Sequence, residues 1–206
     1  MWALVESGSV TQIYTKPKAI TVGEVNYPAN IFMLWTASEL EALGIYEVVI
    51  DNTNLKSNEY YINTNQSFDF ADGVVTASYG VATAKFLDDV LWQEGDEGMP
   101  EDISVGDVKQ PGIRQGYKDI INAQAGGILQ STDWMVVRAA EGGAAVPSDI
   151  ATWRAAVRTK SNDMCTMIDG VADVDALAAL YTYTNTGTDE SPEMERPLGE
   201  FPELGA

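Results

Sequence analysis

Acid–base, nucleophilic or metal chemistry needs a few residue types, and this chain lacks the most useful of them. It contains no histidine. That removes the commonest general base, the commonest transition-metal ligand and every triad built on imidazole. Cys165 is the only cysteine, so neither an intrachain disulfide nor a thiolate cluster can form, as suits a reducing cytoplasm. Cys165 falls mid-helix with no histidine to activate it, so it is expected as a small packed residue. The carboxylate pairs Asp88-Asp89 and Glu101-Asp102 lie in polar stretches expected to be solvated. A general acid needs its carboxyl held in a low-dielectric cleft. There is no phosphate loop, no Gly-x-Gly-x-x-Gly after a strand, no Gly-x-Ser-x-Gly elbow and no Asp-x-Asp-x-Asp-Gly calcium loop. The expectation is a protein without catalysis, cofactor or metal.

The stretch with the most organised chemistry is Gln130-Ser131-Thr132-Asp133-Trp134, continuing to Arg138. Ser131 and Thr132 are good N-cap residues, because a hydroxyl accepts a bond from a free N–H of the first turn. They predict that one helix ends and another begins there, with Asp133 in a first turn where its charge suits the dipole. Trp134 and Arg138 are four apart, so the guanidinium can lie on the indole; Arg138 can also pair with Glu141. Trp153, Arg154 and Arg158 fall on the next helix. With a reversal at Gly142-Gly143, the two helices can lie side by side. Trp134 would then bury against Trp153 or Val157, and Asp133 would meet Arg154 or Arg158. The simpler alternative is that Asp133 caps its own helix and both arginines stay on the surface.

The elements around this stretch predict an α+β chain. Residues 1–83 read as a small antiparallel β-sheet domain with one short helix. Trp2, Leu4 and Glu6 alternate with Ala3 and Val5 before a Ser7-Gly8-Ser9 turn, and Asp72-Gly73 marks a second tight hairpin. Thr36-Ala37-Ser38-Glu39 is a capping box for a helix over 37–43, closed by Gly44. Residues 84–112 hold eight acidic and two basic side chains and read as an exposed acidic connector. From Ile113 the apolar period turns helical. Ile113, Tyr117, Ile120, Ile121, Ile128 and Leu129 share one face, with Gly126-Gly127 as a weak point. Pro147-Ser148 opens a second stripe through Ile150, Trp153, Val157, Met164, Met167 and Ile168. Asp173 caps a last short helix. Residues 113–183 are therefore expected to hold three or four helices. Residues 184–206, with six acidic and one basic side chain, read as a flexible tail that cannot offset its ordering entropy alone.

Thirty-one acidic against twelve basic residues give a net charge of −19. Phosphate backbones need a basic surface, so nucleic acid is not an expected partner, and an anionic membrane is disfavoured for the same reason. No apolar run reaches the roughly 18 residues of a membrane span, and the first residues lack the basic and apolar regions of a signal peptide. The charge favours solubility and would suit a basic protein partner.

Thr132-Asp133-Trp134, then a proline, then Trp153-Arg154-x-x-Val157-Arg158 resembles the C-terminal domain of tailed-phage tail assembly chaperones, including the tail-fibre type. The family pattern has Tyr-Arg-x-x-Leu-Arg; this chain departs from it at Trp153 and Val157. The resemblance covers residues 113–168. The front of the chain, from Met1-Trp2-Ala3-Leu4 through Gly44-Ile45-Tyr46, also looks like small accessory proteins of marine phages. The resemblance implies a non-enzymatic factor that binds a phage tail or tail-fibre protein during assembly in the host cytoplasm. The rival is a structural component kept in the virion tail, where an oligomer would be in place. A third class, an acidic occupant of a basic host surface, rests on charge alone.

Overall fold

Alternating side chains and tight turns build the first strands. β1 (Trp2–Glu6) and β2 (Ser9–Tyr14) pair antiparallel around Ser7 and Gly8, at φ 52° and 80°. Positive φ at both central positions is what a two-residue hairpin of matching twist requires. β3 (Ile20–Val22) and β4 (Val25–Tyr27) form a second, smaller hairpin. Two short helices follow, α1 (Ile31–Leu34) and α2 (Ala37–Glu41), where the sequence predicts one. The capping box is present: Thr36 N donates to Glu39 Oε2 at 2.7 Å, and Glu39 N donates to Thr36 Oγ1 at 3.4 Å.

The computed structural model describes residues 1–205, and the chain divides into two units, 1–83 and 84–206. In the first, β5 (Ile45–Asp51), β6 (Tyr61–Ile62), β7 (Gln66–Ala71) and β8 (Val74–Tyr79) follow α2, with β9 (Thr83–Ala84) at the boundary. The main sheet has the order β2-β1-β5-β8-β7. It is mixed rather than purely antiparallel, because β5 pairs parallel with β8, Val48 opposite Val75. Burial accounts for this. Val75 and Ala77 are fully buried, whereas β7 buries no residue fully. The more apolar strand of the Asp72-Gly73 hairpin therefore takes the inner place, and β7 takes the edge. Leu4, Tyr14, Ile20, Ile31, Phe32, Leu40 and Ile45 form one apolar cluster of this unit, and Ala3, Val48, Val75 and Ala77 another. Gly44 joins α2 to β5 at φ +78°, and a Cβ there would lie 2.7 Å from the Val5 carbonyl oxygen. Only glycine fits both the angle and the approach.

The second unit opens with β10 (Val90–Leu91) and β11 (Val108–Gln110), an antiparallel pair. Then come α3 (Arg114–Ala140), α4 (Ser148–Asp169), α5 (Val174–Tyr181) and a small hairpin of β12 (Thr184–Asn185) with β13 (Met194–Glu195). The acidic stretch is not a free connector. Ile113 N and Arg114 N donate to the carbonyls of Phe86 and Leu87 at 3.0 and 2.9 Å, and Gly112 N donates to Asp89 at 2.7 Å. Its carboxylates have local donors, which its composition does not reveal. The tail also has a path of its own. Leu198 is fully buried, Lys160 Nζ donates to its carbonyl at 2.9 Å, and Trp153 Nε1 donates to the Pro202 carbonyl at 2.9 Å. The buried leucine and the two anchored carbonyls tie this segment to the helices. Among the described residues no helix is long and apolar enough to cross a membrane.

Candidate functional site

The predicted break at Thr132 does not occur, and its absence shapes the site. α3 runs unbroken through Gly126-Gly127 and through Ser131-Thr132. Neither hydroxyl caps a new helix. Each bonds back to its own: Ser131 Oγ donates to the Ile128 carbonyl at 3.2 Å and Thr132 Oγ1 to that of Leu129 at 3.0 Å. A mid-helix Ser or Thr has this second use for its hydroxyl. Asp133 therefore sits deep in a long helix, not in a first turn.

α3 stops where expected. Gly142 adopts φ +84°, Gly142 N donates to the Ala139 carbonyl at 3.2 Å, and Gly143 N to that of Arg138 at 2.9 Å. This paired closure satisfies the last free carbonyls and turns the chain. Pro147, unable to sit inside a helix without losing a bond, stands at the N-cap of α4. The two long helices then run antiparallel. Tyr117, Ile121 and Ala125 on α3 and Val157, Met164 and Ile168 on α4 are buried.

Three polar rungs cross this pair. At one end Arg154, only 6% exposed, places Nη1 2.8 Å from the Leu129 carbonyl and 2.5 Å from Thr132 Oγ1, with Nη2 2.7 Å from Asp133 Oδ1. In the middle Ser161 Oγ donates to Asn122 Oδ1 at 3.1 Å. At the other end Arg114, in the first turn of α3, holds the C-terminal end of α4. It donates to the carbonyls of Ile168, Asp169 and Val171, and pairs with Asp88 through Nε at 2.5 Å. Lys118 adds a pair with Asp169 at 2.9 Å. A cation at a helix C-terminus meets both its free carbonyls and its dipole. The hydrogen bond from Arg114 holds the Asp88 carboxyl below the usual carboxylate range.

Of the residues singled out from sequence, Thr132, Asp133 and Arg154 come together. Arg158 does not join them: it is exposed and donates to the Arg154 carbonyl at 3.5 Å. Trp134 is not buried against Trp153 or Val157. It is 55% exposed, with the Arg138 guanidinium 4.9 Å from its ring centroid. The reason is the unbroken helix, whose turn carries position 134 away from α4 while 132 faces it. Trp153 is half-buried, tied to the tail instead. No ion pair joins Arg138 to Glu141 among the described residues. Arg114, Lys118, Asn122 and Ser161 were not legible beforehand. No motif marks them, and their partners are 26 to 57 residues away.

The arrangement joins two helices side by side. Burial pushes the Cys165 thiol up, away from the thiolate. Among the described residues no group of three His, Cys, Asp or Glu side chains could hold a metal. No protein-family model, curated protein or solved structure matches the chain.

Proposed function

We propose that this chain is a non-enzymatic protein-binding factor of bacteriophage tail or tail-fibre morphogenesis, an assembly chaperone that acts in the host cytoplasm. The observation that carries the reading is the helical clasp. The motif residues of the phage-chaperone resemblance, Thr132, Asp133 and Arg154, meet between α3 and α4 and stiffen a pair of long helices. Trp134, from the same motif, is left exposed on the outside of that pair. A helix pair clasped by buried hydrogen bonds and carrying uncovered apolar surface suits a binder that holds a tail protein until it assembles.

Co-expression with the fibre or tail protein of the same phage tests this. The expected result is a higher yield of correctly assembled fibre and a complex recovered from lysate. Unchanged yield and no complex would sink the chaperone reading. Mass spectrometry of purified virions separates it from the structural rival: near-absence fits a chaperone, and stoichiometric copies in the particle would replace it with a tail component.

A further inference from the structure

α3 carries a second seam that the fold leaves uncovered. One face, through Tyr117, Ile121, Ala125 and Thr132, is buried. On the other side Ile120, Ala123, Gly127, Gln130, Trp134 and Val137 recur at alternating steps of three and four, and all are exposed. Ile120 is 49% exposed, and Trp134 and Val137 are each 55%. Steps of three and four are the heptad spacing that seats one helix along another. The seam is wide at its ends and narrow at its waist: a Cβ at Gly127 would meet nothing within 4 Å. Small residues there let a second backbone come close. A helix that carries exposed Ile120, Trp134 and Val137 opposite its buried face has a second side open to a neighbour, interrupted in polarity only by Gln130 among the seam positions.

Charge identifies the other. Unit 84–206 holds twenty-two acidic and nine basic residues. Five of those nine bases are held in ion pairs inside it: Lys109, Arg114, Lys118, Arg154 and Arg196. Exposed Asp119 and Glu141 edge the seam, while Asp133 is paired with Arg154 and the Arg138 guanidinium lies over Trp134. A second copy would bring the same excess of negative charge and be repelled, whereas a basic helix is attracted. We infer that the Ile120–Val137 seam of α3 is a docking surface for an amphipathic helix of a basic partner protein, one with small and aliphatic residues along its apolar stripe and Lys or Arg beside it. This rests on the protein-binding reading above and names the surface and the partner's chemistry.

The test uses the full chain and three labelled peptides of 28 residues. One has a Leu/Ala heptad stripe flanked by Lys, one the same stripe flanked by Glu, and one the Lys composition scrambled out of register. Fluorescence anisotropy at 50 mM salt should show saturable binding of the first only, weakening at least tenfold by 500 mM. Trp134→Ser should weaken it at least tenfold. Gly127→Leu should do the same while keeping or raising thermal stability, since it adds helix propensity at an open position yet fills the waist. Equal binding of the scrambled peptide, no binding of the heptad peptide, or affinity unchanged in both variants would overturn the inference. So would a dimer of the free protein, seen by sedimentation, that Trp134→Ser dissociates; the seam would then belong to a second copy. The two readings fail separately. A tail protein that binds wild type and both variants equally keeps the proposed function and removes the seam. A seam that binds the basic heptad peptide while no tail protein associates keeps the seam and removes the function.

Discussion

Arg154 shows how a single buried cation can organise a helix pair. Desolvating a guanidinium is costly, and the cost is met here by three acceptors on one neighbouring helix. Two of them, the Leu129 carbonyl and the Thr132 hydroxyl, are inside; the third, Asp133, has a side chain 55% exposed. Asp133 is thus the outer and weaker partner. Asp133→Ala is expected to cost about 1 kcal/mol, and Arg154→Ala about 2–4 kcal/mol through lost packing and stranded acceptors. In a double-mutant cycle measured by urea unfolding, Asp133 and Arg154 should couple by roughly 1 kcal/mol and Asp133 and Arg158 by about zero. Equal coupling to both arginines would mean that the pairing geometry is wrong. Trp134→Ala, at an exposed site, should cost less than about 1 kcal/mol in the same assay.

At the scale of elements, α3 and α4 are joined at both ends by cations of opposite placement. Arg154 reaches from α4 into the second half of α3, and Arg114 reaches from the first turn of α3 over the end of α4. The Arg114–Asp88 pair also ties the acidic stretch to the helices. Asp88 has a depressed pKa in the fold, so its contribution is present above its unfolded value of about 3.9 and is lost as pH falls through the folded value. The carboxylate is largely solvent-exposed, which keeps the contribution below about 1 kcal/mol at neutral pH. Asp88→Asn should therefore lower the melting temperature slightly at pH 6, and its difference from wild type should shrink towards pH 3. A difference that grows with acid would contradict the depressed pKa. Low salt should enlarge the effect at pH 6.

For the whole molecule, the two units differ in how they are closed. Unit 1–83 wraps its sheet in its own apolar clusters. Unit 84–206 is closed by its C-terminal segment, where Leu198 N donates to the Leu180 carbonyl at 3.1 Å and the leucine side chain is fully buried. Leu198→Ala should cost about 2–4 kcal/mol, and removing 184–206 should destabilise the helical unit at least as much. Differential scanning calorimetry of the full chain would show this as a fall in the transition of the helical unit with that of 1–83 unmoved. A truncated chain with both transitions intact would return the segment to the status of a dispensable tail. Expressed alone, 1–83 should unfold in one cooperative step.

Much of the local structure was fixed by the sequence itself. Asp72-Gly73 and Ser7-Gly8 can reverse a chain in few ways, and Thr36 with Glu39 satisfies two helix-end donors reciprocally, so those turns and that cap follow from residue type. The α+β character followed from periods of two and then of 3.6. So did the end of α3 at Gly142 and the start of α4 after Pro147, because positive φ and a missing N–H are properties of one residue. The approach of Asp133 to Arg154 was legible as one of two pairings. Four things were decided only by tertiary structure. Thr132 had two uses for its hydroxyl, capping or back-bonding, and Arg154 on the neighbouring helix fills the second. That choice kept α3 whole and turned Trp134 outward. β8 rather than β7 went beside β5 because a strand's place depends on what its neighbours bury. Arg114 found carbonyls some fifty residues away, and Leu198 a core that no composition of its own segment could announce. Turns and caps are settled within a few residues by φ and by hydrogen bonds close at hand. Contacts between distant segments are settled by the competition of many weak burials, and that competition is decided only once the chain has come together.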